Sequence, residues 1–430
     1  MAQEAGQWNN CLEYVAVTDI GRRRANNQDQ YAVVLASGMD DWASVGHMFL
    51  VADGMGAHAA GELASKLAAE NLPHLYRKHT SDSSPEALYR AIVETNEEVH
   101  RRGQANIEFN SMGTTLSTLV LLPQGALVAN VGDSRVYRLR NRRLEQLTFD
   151  HSLVWEMRAA GQLDDEHVLA DAIPKNIITR SIGPYPHVQP DFEGPFAVEK
   201  DDLFLLCSDG LSGLVSDDEF SAILSTLPLR AAASLLQNLA NIRGGTDNIT
   251  LVLAKATGLP VVTNRDEFEP ITIGANISQP PIPLPTWVAL GIAVLGGFGA
   301  LIVQQPILAA ILFIAAFLGA TGVALWRLKN RSRGVTIPQG QRMGKAPYAV
   351  ADCEDLVADV QAMISDVFRV SQEAAANGWH DPDGDGRMYI SKATQLAKEG
   401  EGAEALEQLR RAVDFLNTEW QENQTRGAGN

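Results

Sequence analysis

Cysteine is scarce in this 430-residue chain: Cys11, Cys207 and Cys353 are odd in number and far apart. That spacing argues against a disulfide framework and favours a reducing compartment. Histidine is also scarce, with nine in the whole chain. With no cysteine cluster either, a zinc site is disfavoured. Basic charge is in deficit, since 35 Lys and Arg face 52 Asp and Glu, for a formal net charge of −17. An acidic protein repels phosphate backbones, so no nucleic-acid partner is expected. The first ten residues hold no basic stretch followed by an apolar run, and no secretory signal is expected.

Charge of either sign is missing altogether from Pro270 to Trp326. Two apolar runs, 286–303 and 307–326, lie in that span, each about long enough to cross a hydrocarbon core as a helix. Gln304-Gln305-Pro306 separates them, which predicts a transmembrane hairpin over 286–326. A buried hairpin in a soluble protein is the alternative. Arg327, Lys329, Arg331 and Arg333 follow at once, and positive charge stays on the cytoplasmic side. A hairpin returns the chain to the side it left. The expected location is therefore the cell membrane, multi-pass, with both flanking parts cytoplasmic.

The length predicts two or three units, and 45% hydrophobic residues are ample for their cores. Residues 11–256 read as one α/β unit of short alternating segments. Residues 257–285 end in Gln279-Pro-Pro-Ile-Pro-Leu-Pro285 and read as a stiff linker. A basic juxtamembrane stretch covers 327–346. Residues 347–430 form a helical C-terminal region. Within it, 391–398 and 403–420 carry apolar residues at helical spacing, broken at Gly400 and Gly402. Leu396-Ala397, Ala405-Leu406, Leu409 and Ala412 resemble one tetratricopeptide-type helical hairpin, which needs neighbours to bury a core.

The chemistry lies in a recurrence. Three apolar runs end at an aspartate beside glycine: Met48-Phe-Leu-Val-Ala-Asp53-Gly54, Leu127-Val-Ala-Asn-Val-Gly132-Asp133 and Leu203-Phe-Leu-Leu-Cys-Ser-Asp209-Gly210. A fourth, Asp247, precedes the strand-like Ile249-Thr-Leu-Val-Leu253. An isolated Asp-Gly is most simply a turn. Four at the ends of strands can converge along one sheet edge. Converging carboxylates take up protons unless a cation sits between them. Hard oxygen ligands suit Mg²⁺ or Mn²⁺. Gly54 has no Cβ, so its carbonyl can approach an ion closely.

With these blocks the chain resembles the type 2C metal-dependent protein phosphatases in their bacterial form, over about residues 14–256. The blocks come in the family's order. The first is Thr18-Asp-Ile-Gly21-Arg-Arg-Arg24-Ala-Asn-Asn27-Gln28-Asp29, followed by Val51-Ala-Asp53-Gly54-Met-Gly56-Ala-His58 and Met112-Gly113-Thr114-Thr115. Then come Val131-Gly132-Asp133-Ser134-Arg135, Ile178-Thr-Arg180-Ser-Ile-Gly183, Cys207-Ser-Asp209-Gly210-Leu211 and Gly245-Thr246-Asp247-Asn248.

The resemblance implies a four-layer sandwich, two central antiparallel sheets flanked by helices, with a metal pair in a cleft between the sheets. It implies that Asp53 bridges two ions, Gly54 offers its carbonyl to one, and Asp209 and Asp247 hold the second. Asp133 with Asp209 matches the third site of bacterial members. Asp29 supports the metal waters, and Arg24 matches the arginine that grips the phosphate. Read without the family register, Arg24 is one of three arginines, Arg22 to Arg24, and nothing selects among them. The implied cofactors are two Mn²⁺ or Mg²⁺ ions, three with the bacterial site. The implied partners are phosphorylated proteins, serine/threonine kinases and their substrates, with the membrane reached through the two helices.

Three features depart from the pattern or extend it. Gln28 stands where many members have Glu, and can still hold a water by hydrogen bond. Met55 stands where animal members place a histidine, and His58 nearby is equally well a helix-start residue. Residues 151–190 match the variable flap, where Trp155, Met157 and Arg158 either touch substrate or pack a short helix. Separately, Asp381-Pro-Asp383-Gly-Asp385-Gly386 matches the first half of an EF-hand loop, but Lys392 replaces the twelfth-position glutamate. An acidic turn before a helix is the simpler reading there. For the whole chain the expectation is an active, membrane-tethered serine/threonine phosphatase. The alternatives are a silent phosphatase-like domain that binds phosphoproteins and a scaffold acting through its C-terminal helices.

Overall fold

A computed structural model of the protein describes residues 8, 10–56, 59–80, 83–163, 174, 177–263, 271–273, 284–329, 335–337, 343–376 and 384–427. Much of the 257–285 linker, part of the 327–346 stretch, His58 and Asp381–Asp383 lie outside the described residues. The chain divides into two units, one of Met1–Pro270 with Ile337–Asn430, the other of Ile271–Thr336.

The strands are β1 (Leu12–Asp19), β2 (Asp29–Val34), β3 (His47–Met55), β4 (Gly113–Thr114), β5 (Leu116–Leu122), β6 (Gly125–Val131), β7 (Arg135–Arg140), β8 (Arg143–Gln146), β9 (Asp191–Phe196), β10 (Leu203–Cys207), β11 (Ile249–Ala256), β12 (Ile271–Ile273), β13 (Val335–Ile337) and β14 (Ala349–Asp352). The helices are α1 (Met39–Ser44), α2 (Ala60–Lys78), α3 (Ser84–Ala105), α4 (Leu153–Ala159), α5 (Asp209–Ser212), α6 (Asp217–Thr226), α7 (Leu229–Ile242), α8 (Leu284–Ile302), α9 (Pro306–Lys329), α10 (Leu356–Ala376), α11 (Asp385–Lys398) and α12 (Gly402–Gly427).

One antiparallel sheet runs β1-β11-β10-β7-β8-β14, and the other runs β2-β3-β5-β6-β9 with β4 beside β3. Side chains alternate across each sheet, as the two-residue period of a strand requires. Phe49, Val51, Leu119 and Leu121 of one sheet meet Phe204, Leu206, Val252 and Ala254 of the other in a single buried cluster. The intervening Leu205, Cys207, Leu251 and Leu253 point the opposite way, into a cluster with Phe220 of α6 and Leu236 of α7. On the outer side of the second sheet, α2 lays Ala64, Ala68 and Leu72, all fully buried, at helical spacing. The result is a helix–sheet–sheet–helix sandwich, as the resemblance implied. Burial of each large apolar side chain contributes roughly 1.5–3 kcal/mol.

The C-terminal residues join the same unit. β14 pairs with β8 and lengthens the first sheet. Val360, Met363 and Val367 of α10 and Leu406, Leu409 and Val413 of α12 enter the cluster formed with α6 and α7. A lone helical hairpin cannot bury its apolar face, and here α6 and α7 supply the missing neighbours. The second unit contains α8 and α9, packed as a hairpin with Phe298 edge-on to Phe313 at 5.2 Å. Both helices are long and apolar enough to cross a membrane. Ile292, Leu295, Ile307, Ile311 and Phe317 expose more than half their surface.

Candidate functional site

Five aspartates reach one edge of the sandwich. Asp29 opens β2 and stands opposite Asp53 in the β2–β3 ladder. Asp133 lies in the turn between β6 and β7, Asp209 follows β10, and Asp247 lies just before β11. Two sheets thus bring together residues that lie up to about 220 positions apart in the sequence, a distance no local pattern spans.

The backbone around them is tightly fastened. Thr115 Oγ1 accepts from Asp53 N at 2.9 Å, and Thr115 N donates to Asp53 O at 2.8 Å. Gly54 N donates to Gln28 O at 3.1 Å. A Cβ on Gly54 would stand 2.2 Å from Gly61 O and 2.5 Å from Gln28 O, so only glycine fits between these carbonyls. Gly21 turns with φ +77°, and a Cβ there would stand 2.1 Å from Asp247 O. Arg22 N and Arg23 N both donate to Gly245 O, at 2.7 and 3.1 Å. The loop holding Arg24 is therefore seated on the loop holding Asp247.

Asn248 ties the same two loops together. Its Oδ1 accepts from Gln28 N at 2.8 Å, and its Nδ2 donates to Ile20 O at 2.9 Å and Asn26 O at 3.0 Å. Nothing local in the sequence marks Asn248 for this role. Nor does it mark Ser208, whose Oγ donates to Asp29 Oδ2 at 2.7 Å.

Electrostatically the cluster is strained. Burial pushes Asp29 up to about 7, with Asp209 and Asp247 adding to the rise against the opposing bond from Ser208. Burial, followed by the charge of Asp209, pushes Asp133 up to about 7. Asp53 is held well above the usual carboxylate range by burial and then by Asp29 and Asp209. Asp209 rises through burial and the charge of Asp247. Asp29 Oδ1, Asp133 Oδ1 and Asp209 Oδ1 are buried with no hydrogen-bond donor. Buried acceptors in a mutually repelling set call for a cation or a proton. The all-oxygen donor set fits a hard divalent ion. Among the described residues, no group of three or more His, Cys, Asp or Glu side chains is placed to hold a metal ion as it stands. Arg24 Nη2 holds Asp247 Oδ2 at 2.6 Å.

Arg24 lies at the rim, about half exposed. Its bond to Asp247 raises its pKa, with the charges of Asp53 and Asp209 contributing further against the opposing burial. Of the three arginines, Arg22 turns away toward α12, and Arg24 is the one that reaches the acids. Below the cluster, Arg135 binds Asp150 Oδ2 through Nε and Nη2 at 2.9 and 2.7 Å. In the flap, His151 and Arg180 both hold Asp191, at 3.0 and 2.6 Å. Trp155 packs edge-on against Phe149 at 5.6 Å, so its observed role is packing.

Comparison with known proteins agrees with this arrangement. Residues 21–242 match the family described as protein phosphatase 2C. The chain is 40% identical over 250 residues to protein phosphatase PhpP of Streptococcus pneumoniae, covering 56% of this chain and 96% of that protein. It is 38% identical over 244 residues to the serine/threonine phosphatase stp of Listeria monocytogenes, covering 55% and 93%. Among solved structures, the serine/threonine phosphatase PstP/Ppp of Mycobacterium tuberculosis superposes with a TM-score of 0.51 at 32% identity, covering 58% of this chain and all of that one.

Proposed function

We propose that this chain, which belongs to the protein phosphatase 2C family and is a serine/threonine protein phosphatase, uses its aspartate cluster to hold divalent metal ions and acts from a membrane tether. The observation that carries the metal reading is the set of orphaned buried oxygens on Asp29, Asp133 and Asp209. Metal dependence is general to the family. In this reading Asp53, the Gly54 carbonyl, Asp209 and Asp247 would hold two ions of Mn²⁺ or Mg²⁺, and Asp133 with Asp209 would hold a third. Such ions, when bound, lower the pKa of water toward neutrality and offset charge on a phosphoryl group.

The residues of the chain do the rest. Arg24 swings from Asp247 to the phosphate, where its fork donates to two oxygens at once, as a lysine cannot do as well. Asp29, fixed by Ser208, orients water by accepting its proton-bearing side. Water attacks phosphorus in line and gives up one proton to solvent, the bond to the serine or threonine oxygen breaks, and that oxygen leaves with a proton taken from solvent. No phosphoenzyme forms. Single-turnover hydrolysis of a phosphothreonine peptide in ¹⁸O-water tests this step. One labelled oxygen in the released phosphate is expected, with no phosphate trapped on protein. A trapped phosphoprotein would overturn the direct attack.

The tether rests on α8 and α9, whose exposed apolar faces suit a lipid environment. With Arg327 and Lys329 at the end of α9 and Arg331 and Arg333 following in the sequence, the phosphatase domain and the C-terminus both lie in the cytoplasm. There the enzyme opposes membrane-linked serine/threonine kinases by acting on them or on their substrates, at high effective concentration.

A further inference from the structure

α12 passes beside the loop that carries Arg24 at Asn417 and Trp420. The Arg22 guanidinium stacks over the Trp420 ring at 3.6 Å, and its Nη2 donates to Asn417 Oδ1. Asn417 is itself nearly buried and donates to Asn238 Oδ1 on α7 at 2.7 Å. Asp414, one turn earlier, accepts from Asn238 Nδ2 at 2.8 Å. On its other side, α7 grips the end of β1, where Gln237 Nε2 donates to Asp19 Oδ2 at 2.8 Å. Asp19 Oδ1 in turn accepts from Gly21 N at 2.8 Å.

These contacts converge on residues 19–22, and nothing in the reaction described above uses them. The same loop hydrogen-bonds to Gly245 through the amides of Arg22 and Arg23. It therefore sits between α12 on one side and both Arg24 and Asp247 on the other. The family match ends at residue 242, before α12 begins.

We propose that Trp420 and Asn417 are positioning residues for phosphate binding, acting through Arg22. Clamping Arg22 from two sides removes freedom from a glycine-containing turn. This presets Arg24, two residues on, for the substrate phosphate. α12 lies in the segment that follows the apolar hairpin, so the C-terminal region bears directly on substrate affinity. The inference rests on the phosphate role proposed for Arg24.

The test uses the full chain in detergent, with Trp420→Ala, Trp420→Phe, Asn417→Ala and the exposed-face control Arg411→Ala. Two readouts are taken: hydrogen exchange over residues 19–27, and phosphothreonine-peptide kinetics with inorganic phosphate as competitor. In Trp420→Ala and Asn417→Ala, exchange over the loop should quicken. KM and the inhibition constant of phosphate should rise together by about three- to tenfold, with kcat within about twofold. Trp420→Phe keeps a ring for the guanidinium and should restore most of the effect. Arg411→Ala should match the wild type. A loss of kcat that tracks the folded fraction, with phosphate affinity unchanged, would reduce the pair to a structural role and overturn the proposal. Unchanged exchange in both alanine variants would overturn it as well. Wild-type turnover without these changes sinks the clamp alone, whereas absence of turnover in the wild type sinks the reading of the site.

Discussion

Asp29 and Asp53 face each other across the β2–β3 ladder, with a buried Asp29 oxygen that no donor reaches. Two carboxylates in that relation repel, and Asp209 and Asp247 add to the repulsion. Such a cluster lowers the stability of its own domain until a cation joins it.

Removing one charge should therefore stabilise the protein when metal is chelated. In EDTA at pH 7, Asp53→Asn is expected to raise stability by about 1–3 kcal/mol. Added Mn²⁺ should raise the Tm of the wild type but much less that of the variant, since binding stabilises only by mass action on a site that can bind. Thermal unfolding with and without Mn²⁺ checks both. A variant less stable than wild type in EDTA would contradict the repulsive cluster.

Gly54 is wedged between the carbonyls of Gly61 and Gln28. Gly54→Ala must push these carbonyls apart, at a cost of about 1–3 kcal/mol. The same shift displaces the adjoining Asp53. Activity should fall even in samples shown by circular dichroism to be folded. A fully active Gly54→Ala would mean that the β3 end moves freely.

His47 tests the core by pH. It is fully buried between Trp8 and Trp42, and its Nδ1 accepts from Ala36 N at 2.9 Å. Burial pulls its pKa down to about 4 against a partial opposing effect of Asp41. The fold favours the neutral ring, so its contribution is complete above about pH 6.5 and is lost as pH falls toward 4. Roughly 3 kcal/mol is at stake over that window. His47→Gln keeps an acceptor and does not titrate. Urea midpoints at pH 7 and 4.5 should diverge less for the variant. Parallel shifts would assign the acid sensitivity elsewhere.

Tethering makes a separate prediction. The full chain should stay with membranes through alkaline carbonate washing. Protease added from the cytoplasmic face should reach both the N-terminal and C-terminal parts, and from the other face neither. Release by carbonate would return α8 and α9 to the soluble-hairpin reading.

The strand-end aspartates were legible because each of three apolar runs stops at Asp beside Gly, and that junction survives as a local pattern. The sandwich itself followed from the order of the blocks, and the hairpin from the uncharged span. Asn248 and Ser208 were not legible as fasteners. Their bonds to Gln28 and Asp29 cross 220 and 179 residues and leave no spacing to read. The same holds for Arg22 and Asn417, 395 residues apart. β14 escaped notice because four residues are too few to establish a period inside a region with helical spacing. Nothing in the amphipathic pattern of α12 revealed that α7 would cover it.

In the proposed function, hydrolysis depends on metal held by Asp209 and Asp247. The most direct measurement is turnover of a phosphothreonine peptide by the full chain, with Mn²⁺ titrated from a chelated start, for the wild type, Asp209→Asn and Asp247→Asn. The wild type should be silent in EDTA and rise with Mn²⁺. Both variants, folded by circular dichroism, should lose at least about a hundredfold at limiting metal. Near-normal rates from either variant under limiting Mn²⁺, or wild-type turnover that persists in EDTA, would contradict the assignment.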